Sequence, residues 1–409
     1  MSNSLENFTS EEVPLGSFVR GTCMEMCPAS ERALREKENL IHPLEVSEED
    51  IYRSAPCMRG AMRARPQGPR GALSRPQGPQ PRPRGALSRA HGSGKPQYRA
   101  NPSLMVKCYH RSAAGVEMTS PHNLRPAPVL ITTVQHLLTR VIRSTRVPWC
   151  EVHGFISDRL RCVRQDASIQ QIDPATYMTI LEHCILFYAS SMNRPCNEHK
   201  NTRPPCIDKY LNRKQLEETL HQCTSLYDEF WDTLYTKMTS SRIQVECVHL
   251  IVNIDQYDVL HRALSLQSHT PIQSTLQLCL HYSMHNYTQV FRTLPNIPCV
   301  AATVFSALHL ALFRKECMQI INSGFSCKNN YLPLSYIKKS LLLSTEAEAQ
   351  YLCDYYGLRV DTDSARVLCC KADFQACKAP EEENSSTLEF LETDLLIEQL
   401  TDLNLTQNS

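Results

Sequence analysis

No stretch of this chain is apolar for long enough to cross a bilayer. The longest mostly apolar run, Val300 to Phe313, is interrupted by His309. A spanning helix needs ~20 apolar residues, so this run is expected to be a buried helix. Glycine is scarce, with 13 residues against 25 prolines. Folded chains usually hold more glycine than proline, so a proline-rich segment must dilute an otherwise ordinary domain. The opening MSNSLENFTSEE lacks the basic and apolar regions of a secretory signal, which predicts an intracellular protein. The Asn-x-Ser/Thr sequons at Asn7, Asn286, Asn384 and Asn404 are then chance matches.

Catalytic signatures are also missing. Gly92-Ser93-Gly94-Lys95 resembles the end of a phosphate-binding loop, but Arg89 replaces the first glycine and Pro96 the magnesium-holding hydroxyl. None of the 15 histidines sits with a serine or cysteine in a nucleophile motif. Lone histidines such as His183 and His309 read as satisfied core residues. No paired-carboxylate pocket is evident. The chain is therefore expected to be non-enzymatic, with no cofactor and no small-molecule substrate.

The net charge of +1 hides a strong segregation. Residues 1–52 carry 4 basic and 11 acidic side chains, residues 53–116 carry 13 basic and none acidic, and residues 380–409 carry 8 acidic and none basic. Interaction tails on a balanced globular body have this distribution. Segment 59–101 contains RPQGPRGALS, nearly repeated as RPQGPQPRPRGALS. It has little to bury against its ordering entropy and reads as a disordered basic linker. The 19 cysteines are odd in number and scattered along apolar faces, as with Cys184, Cys223 and Cys279. That is the usage of reduced thiols acting as small hydrophobes.

From 124 to about 325 the period is helical. Val134, Leu137, Leu138, Val141 and Ile142 share one face, and Val152, Phe155, Ile156, Leu160 and Val163 another. Asp173-Pro174 reads as an N-cap with an N1 proline. Asn212 and Gln215 read as a capping-box pair opening the next helix. Further helices are expected at about 242–254, 256–266, 272–284, 286–294 and 299–321. Pro333 to Leu343 reads as a short helix, Thr345-x-x-Glu348 as a capping box, Gly357 as a helix stop, and 358–360 with 365–370 as a hairpin. This order predicts an all-α helical repeat array ending in a small winged-helix module. The expected divisions are 1–58, linker 59–101, helical domain 102–325, winged helix 326–379 and acidic tail 380–409. The tail holds one amphipathic stretch, Leu388 to Leu403, suited to folding on a partner.

Cys23-x3-Cys27 has half the ligands of a zinc site, and His42 and Cys57 offer no matching pair. It reads instead as a loop before a helix starting near Pro28. In FISDRLRCVRQD (155–166), Arg161 and Arg164 lie ~60° apart on a helix wheel, so both are able to face one anion. The plainer reading is a solvated helix with ion pairs such as Asp158–Arg161; the sharper one is that the arginines tie neighbouring helices together or bind RNA phosphate bidentately.

Four segments, GTCMEMCPASER (21–32), KCYHRSAAG (107–115), FISDRLRCVRQD (155–166) and NYTQVFRTL (286–294), occur in the order seen in the Sac-three/GANP family, which the chain resembles over 21–370. The resemblance is carried by Cys23, Cys27, Pro28, Glu31 and Arg32; by Lys107, Tyr109, Arg111 and Gly115; by Asp158, Arg159, Arg161, Arg164, Gln165 and Asp166; and by Asn286, Tyr287 and Phe291. It implies a non-enzymatic PCI-type scaffold and gives these residues structural or partner-binding roles. It also implies protein partners, namely a second PCI-type subunit and a small acidic protein, and RNA as a further ligand. The chain is most similar in length and content to a short member linked to centrosome duplication and spindle progression, located in cytoplasm, centrosome and spindle, with the nucleus as a further site. No Phe-Gly repeats or acetyltransferase region accompany the domain. The alternative is the role of the largest members, nuclear mRNA export as a TREX-type adaptor.

Within the expected winged helix, the second helix carries Glu346, Glu348 and Asp354 and no Lys or Arg. It is unsuited to a phosphate backbone. Its tyrosines suit a protein partner, and Tyr351 and Tyr355 are the expected docking residues. Nucleic acid would be met by Lys338 and Lys339 or by the basic segment.

Overall fold

The computed structural model describes residues 19–47, 101–111, 119–192, 194, 207–230, 238–328 and 331–378. The basic segment up to Ala100, Gly115 and the tail with its 388–403 stretch lie outside the described residues. The chain divides into two compact units, residues 29–105 and residues 1–28 with 106–409.

The smaller unit contains α1 (Ala29–Lys37) and a single 3₁₀ turn, Pro43–Glu45. The turn opens with a reciprocal cap: His42 Nδ1 accepts from Leu44 N at 3.2 Å, and Glu45 Oε2 accepts from His42 N at 3.2 Å. Arg35 also donates to Glu45 Oε2, a buried ion pair fixing the helix to the turn, and lies 3.7 Å from Glu31 on its own helix.

The larger unit is mostly helical. In chain order it holds α2 (Ala127–His136), α3 (Trp149–Gln170), α4 (Pro174–Ser191), α5 (Lys209–Glu229), α6 (Ser240–Val252), α7 (Tyr257–Ser265) and α8 (Thr270–Ser283). These are followed by α9 (Tyr287–Thr293), α10 (Cys299–Leu308), α11 (Leu310–Phe325), α12 (Leu334–Ser340) and α13 (Glu346–Tyr355). Helix α4 is the centre of the array, packing on α2, α3, α5, α6 and α10. That explains why it is apolar almost all round, with Leu181, Cys184, Ile185, Phe187 and Tyr188 all buried. Asp173 caps it as expected, Oδ1 accepting from Thr176 N at 2.9 Å.

Two expected helix boundaries differ. Helix α5 starts at Lys209, with Asp208 as its N-cap accepting from Leu211 N. Asn212 and Gln215 lie inside the helix and are buried, because their amides serve side chains on α3 and a carbonyl on α4. The expected 299–321 helix is two helices. The chain breaks at His309 (φ −121°), whose Nε2 meets Ile251 O at 2.9 Å instead of facing a helical groove.

The last part adds three short antiparallel strands, β1 (Tyr331–Pro333), β2 (Arg359–Asp361) and β3 (Arg366–Leu368), in the order β1-β3-β2. β1 was not expected. Leu332 and Val360 flank buried Val367 from either side, with β1 packing on α12 and β2 on α13. Thr345 caps α13 by accepting from Glu348 N, while Glu348 Oε2 accepts from Ser344 N at 2.9 Å, one residue before the N-cap, so the expected capping box forms only in its Thr345 half. Gly357 follows at φ +82°, where a Cβ would lie 2.8 Å from Asp373 O.

Fifteen described cysteines are free thiols, most of them buried. Cys150 is instead disulfide-bonded, so the reduced reading fails there. Among the described residues no helix is long and apolar enough to cross a membrane.

Candidate functional site

Three of the four sequence motifs meet around Asp166, within the larger unit. Helix α3 presents the Asp166 carboxylate to a loop that ends at Pro126. Its Oδ2 accepts from Arg125 Nε at 2.7 Å, and its Oδ1 from Lys107 Nζ at 2.7 Å. The Arg125 and Asp166 side chains are 0% and 1% exposed. Burial disfavours the charge on Arg125, and the neighbouring Cys162 and Asp166 more than restore it, so its pKa stays raised. The guanidinium also donates from NH1 to Met26 O at 3.3 Å and from NH2 to Cys162 Sγ at 3.3 Å.

The first motif is threaded through this centre by its backbone. Met26 O also accepts from Lys107 N at 3.0 Å, while Thr22 N and Cys23 N donate to Pro121 O and Leu124 O. Gln170, one turn after Asp166, accepts from Gly21 N through Oε1 and donates from Nε2 to the carbonyls of Arg125 and Asp166, each at 2.8 Å. A Cβ on Gly21 would lie 2.3 Å from Leu124 O, so only glycine fits that approach. Cys23 and Cys27 are buried, with Cys23 Sγ donating to Glu25 O. Among the described residues no group of three or more His, Cys, Asp or Glu is placed to hold a metal.

The outward side of α3 is built differently. Asp158 Oδ2 accepts from Tyr109 N at 3.2 Å and Arg159 NH1 at 2.7 Å. Arg161 stacks on the Tyr109 ring at 4.1 Å, and Gln165 Nε2 donates to His110 O. Arg164 turns to α5, donating to Gln215 Oε1 at 2.6 Å and Thr219 Oγ1 at 2.7 Å. Arg161 and Arg164 therefore do not face one anion, and the expected Asp158–Arg161 pair is an Asp158–Arg159 pair. Arg111 is exposed. A groove of ~240 Å³ beside Arg161, between α3 and the start of α5, is lined by His153, Gly154, Ser157, Asp158, Asp208 and Leu211 among others.

The fourth motif lies elsewhere in this unit. Asn286 caps α9 through Gln289 N, and Tyr287 and Phe291 pack on Phe313 of α11 with centroids 4.6 and 5.2 Å apart. On α13, Tyr351 is 47% exposed and stacks loosely on Tyr355, 6.4 Å away. Lys378 covers the Tyr355 ring at 4.7 Å, and Tyr356 is buried against Phe374.

Sequence reasoning missed Arg125 and Gln170. Arg125 precedes a proline in a loop, where no periodicity marks it. Its only sequence signal is that an arginine followed by apolar helix is costly to bury without a partner, and the partner is 41 positions away.

Residues 85–362 match the SAC3/GANP family, a range that takes in the second, third and fourth motifs. The chain is 22% identical over 382 residues to SAC3 family protein 1 of Schizosaccharomyces pombe, covering 86% of this chain and 31% of that protein. It is 22% identical over 371 residues to SAC3 family protein B of Arabidopsis thaliana, covering 88% and 18%, and 24% identical over 276 residues to Protein xmas of Drosophila melanogaster, covering 64% and 13%. The chain thus spans about a third or less of the relatives it matches. With more than half of its length matched by the family, this chain belongs to the SAC3/GANP family.

Proposed function

We infer that the chain is a non-enzymatic protein–protein scaffold whose β1-α12-α13-β2-β3 ending is a winged helix that docks a second PCI-type subunit, with a small acidic protein as a further partner. The observation that carries this reading is the surface of α13. Tyr351 and Tyr355 stand on a helix with acidic residues in its first turn and no basic residue. Such a helix repels phosphate and offers the amphipathic aromatic area enriched where proteins meet. The Asp166 centre supports the scaffold side of the reading, since its charges are spent on tying three segments together.

The cellular role we assign is in centrosome duplication and spindle progression, located in cytoplasm, centrosome and spindle, as the resemblance to the short family member implies. A second reading, an adaptor in nuclear mRNA export that also binds RNA, is favoured by the acid-free basic segment 53–116. The docking test is a pull-down comparing wild type with Tyr351→Ala and Tyr355→Ala, both checked for helicity. Unchanged partner recovery sinks the docking assignment. Imaging the tagged full-length protein through mitosis separates the two cellular roles.

A further inference from the structure

A second surface of the terminal module has the opposite charge character to α13. Phe325, at the end of α11, and Tyr336, on α12, meet edge to face with centroids 5.9 Å apart, yet they remain 37% and 42% exposed. Three exposed lysines lie near the pair along the chain or through the backbone. Lys339 lies one turn beyond Tyr336 on the same helix face. Lys371 donates its backbone N–H to Ser326 Oγ at 3.2 Å, which places it beside Phe325, and Lys328 follows two residues after Ser326. Lys328, Lys339 and Lys371 are all exposed. An exposed aromatic pair with exposed lysines near it fits an acidic, apolar segment.

The chain itself carries such a segment. Leu388, Leu391 and Leu395 recur at helical spacing, and Glu389, Glu392, Asp394, Glu398 and Asp402 are interleaved with no lysine or arginine. The chain leaves the module at the end of α13: Gln375 N donates to Tyr356 O at 2.9 Å, and Lys378 Nζ to Tyr355 O at 2.5 Å. The nine residues 379–387 reach ~30 Å when extended. A module of this size has a radius of gyration of ~10 Å, so any of its faces is within range. We propose that the acidic stretch 388–403 docks in cis on the Phe325–Tyr336–Lys339 face and covers it. This surface is separate from the Tyr351/Tyr355 docking helix, and the proposal stands whether or not that helix binds a partner. A short tether gives an effective concentration of ~1 mM, so a contact with a dissociation constant of ~100 µM in trans is ~90% occupied in cis.

The test uses the full chain and a full-chain variant, Leu391→Asp with Leu395→Asp, with matched melting curves. Lys339 is labelled with an amine-reactive reagent and its rate read by mass spectrometry. Expected are Lys339 labelling about tenfold slower in wild type than in the variant, the same wild-type rate at every protein concentration, and restored protection when a peptide of residues 386–405 is added to the variant. A Tyr336→Ala chain should label Lys339 as fast as the tail variant. Equal rates in wild type and tail variant overturn the proposal. So does protection that grows with protein concentration, which would make a second copy the occupant.

Discussion

Arg125 Nε and Asp166 Oδ2 lie 2.7 Å apart in a site closed to solvent, and the carbonyl of Met26 lies against the far side of the same guanidinium. The pair is thus also a fastener. It holds a strand-less segment from the start of the chain against a loop and a long helix, none of which is adjacent in sequence.

Breaking that pair should be severe. Asp166→Ala leaves both Arg125 and Lys107 without their carboxylate, and removing one partner of a buried pair costs ~3–5 kcal/mol. Arg159→Ala should be milder, about 1 kcal/mol, because its Asp158 partner is 36% exposed and its guanidinium also lies over the Phe155 ring at 4.2 Å. Chemical denaturation of the two variants tests the order. Equal losses would mean that the Asp166 site is open to water.

Gly21→Ala probes the threading without touching a charge. The added methyl meets a backbone carbonyl, and overpacking of this kind costs ~1–3 kcal/mol. The expected outcome is faster amide exchange at Thr22, Cys23 and Lys107, with exchange in α4 unchanged. If α4 loosens equally, the segment is integral to the helical core and not a strap upon it.

The pattern of successes and failures in the sequence has a physical cause. Apolar faces on α2, α3 and α4, the Asp173 cap and the Thr345 cap were legible because each is a local signal, written within four or five residues. Asn212 and Gln215 imitated a cap because polar residues three apart look alike whether they meet backbone or a buried arginine. Only Arg164, on another helix, distinguishes the two. The break at His309 depends on Ile251 O, and β1 contains a proline and gains its identity from pairing with β3. The candidate residues of α3 were recognisable as a group, but their division into inward and outward sets was not. Asp166, Arg164 and Asp158 differ in burial through neighbours 40 to 60 positions away in the chain.

Acid should weaken the helical body. His153 is held below the ordinary histidine pKa by burial, partly offset by its hydrogen bond with Asn212, and burial also lowers His183, His249 and His309. A histidine with a depressed folded pKa is neutral when folded and takes up a proton more readily when unfolded. Its stabilisation is present above the unfolded pKa of ~6.5 and is lost as pH falls toward the folded value. Burial raises the Glu182 pKa and acts in the opposite sense, but it is one group against five, since burial lowers His136 as well. The melting temperature should therefore fall between about pH 7 and pH 5.5. His153→Gln should reduce that slope, and a slope unaltered by the substitution would remove His153 from the account.

Arg314 should decide whether the terminal module stays attached to the array. It projects from α11 and is 3% exposed. Its Nε donates to Leu341 O at 3.0 Å, and its NH2 to Leu342 O at 2.8 Å. Those carbonyls belong to the turn after α12, where Leu342 takes the left-handed conformation (φ 49°) that a leucine adopts only under constraint. Burial pushes the Arg314 pKa down to about 10, so the side chain is still charged at neutral pH and both hydrogen bonds are charge-assisted. Arg314→Met keeps most of the apolar stem but strands two carbonyls and frees the strained turn, at a cost of ~2–4 kcal/mol. The loss should be local. Amides of α12, α13 and the three strands should exchange early, while α4 and α6 keep their protection, and thermal unfolding should separate into two steps. A single transition shifted as a whole would show that the module and the helical array unfold as one unit and that Arg314 is only one core residue among many.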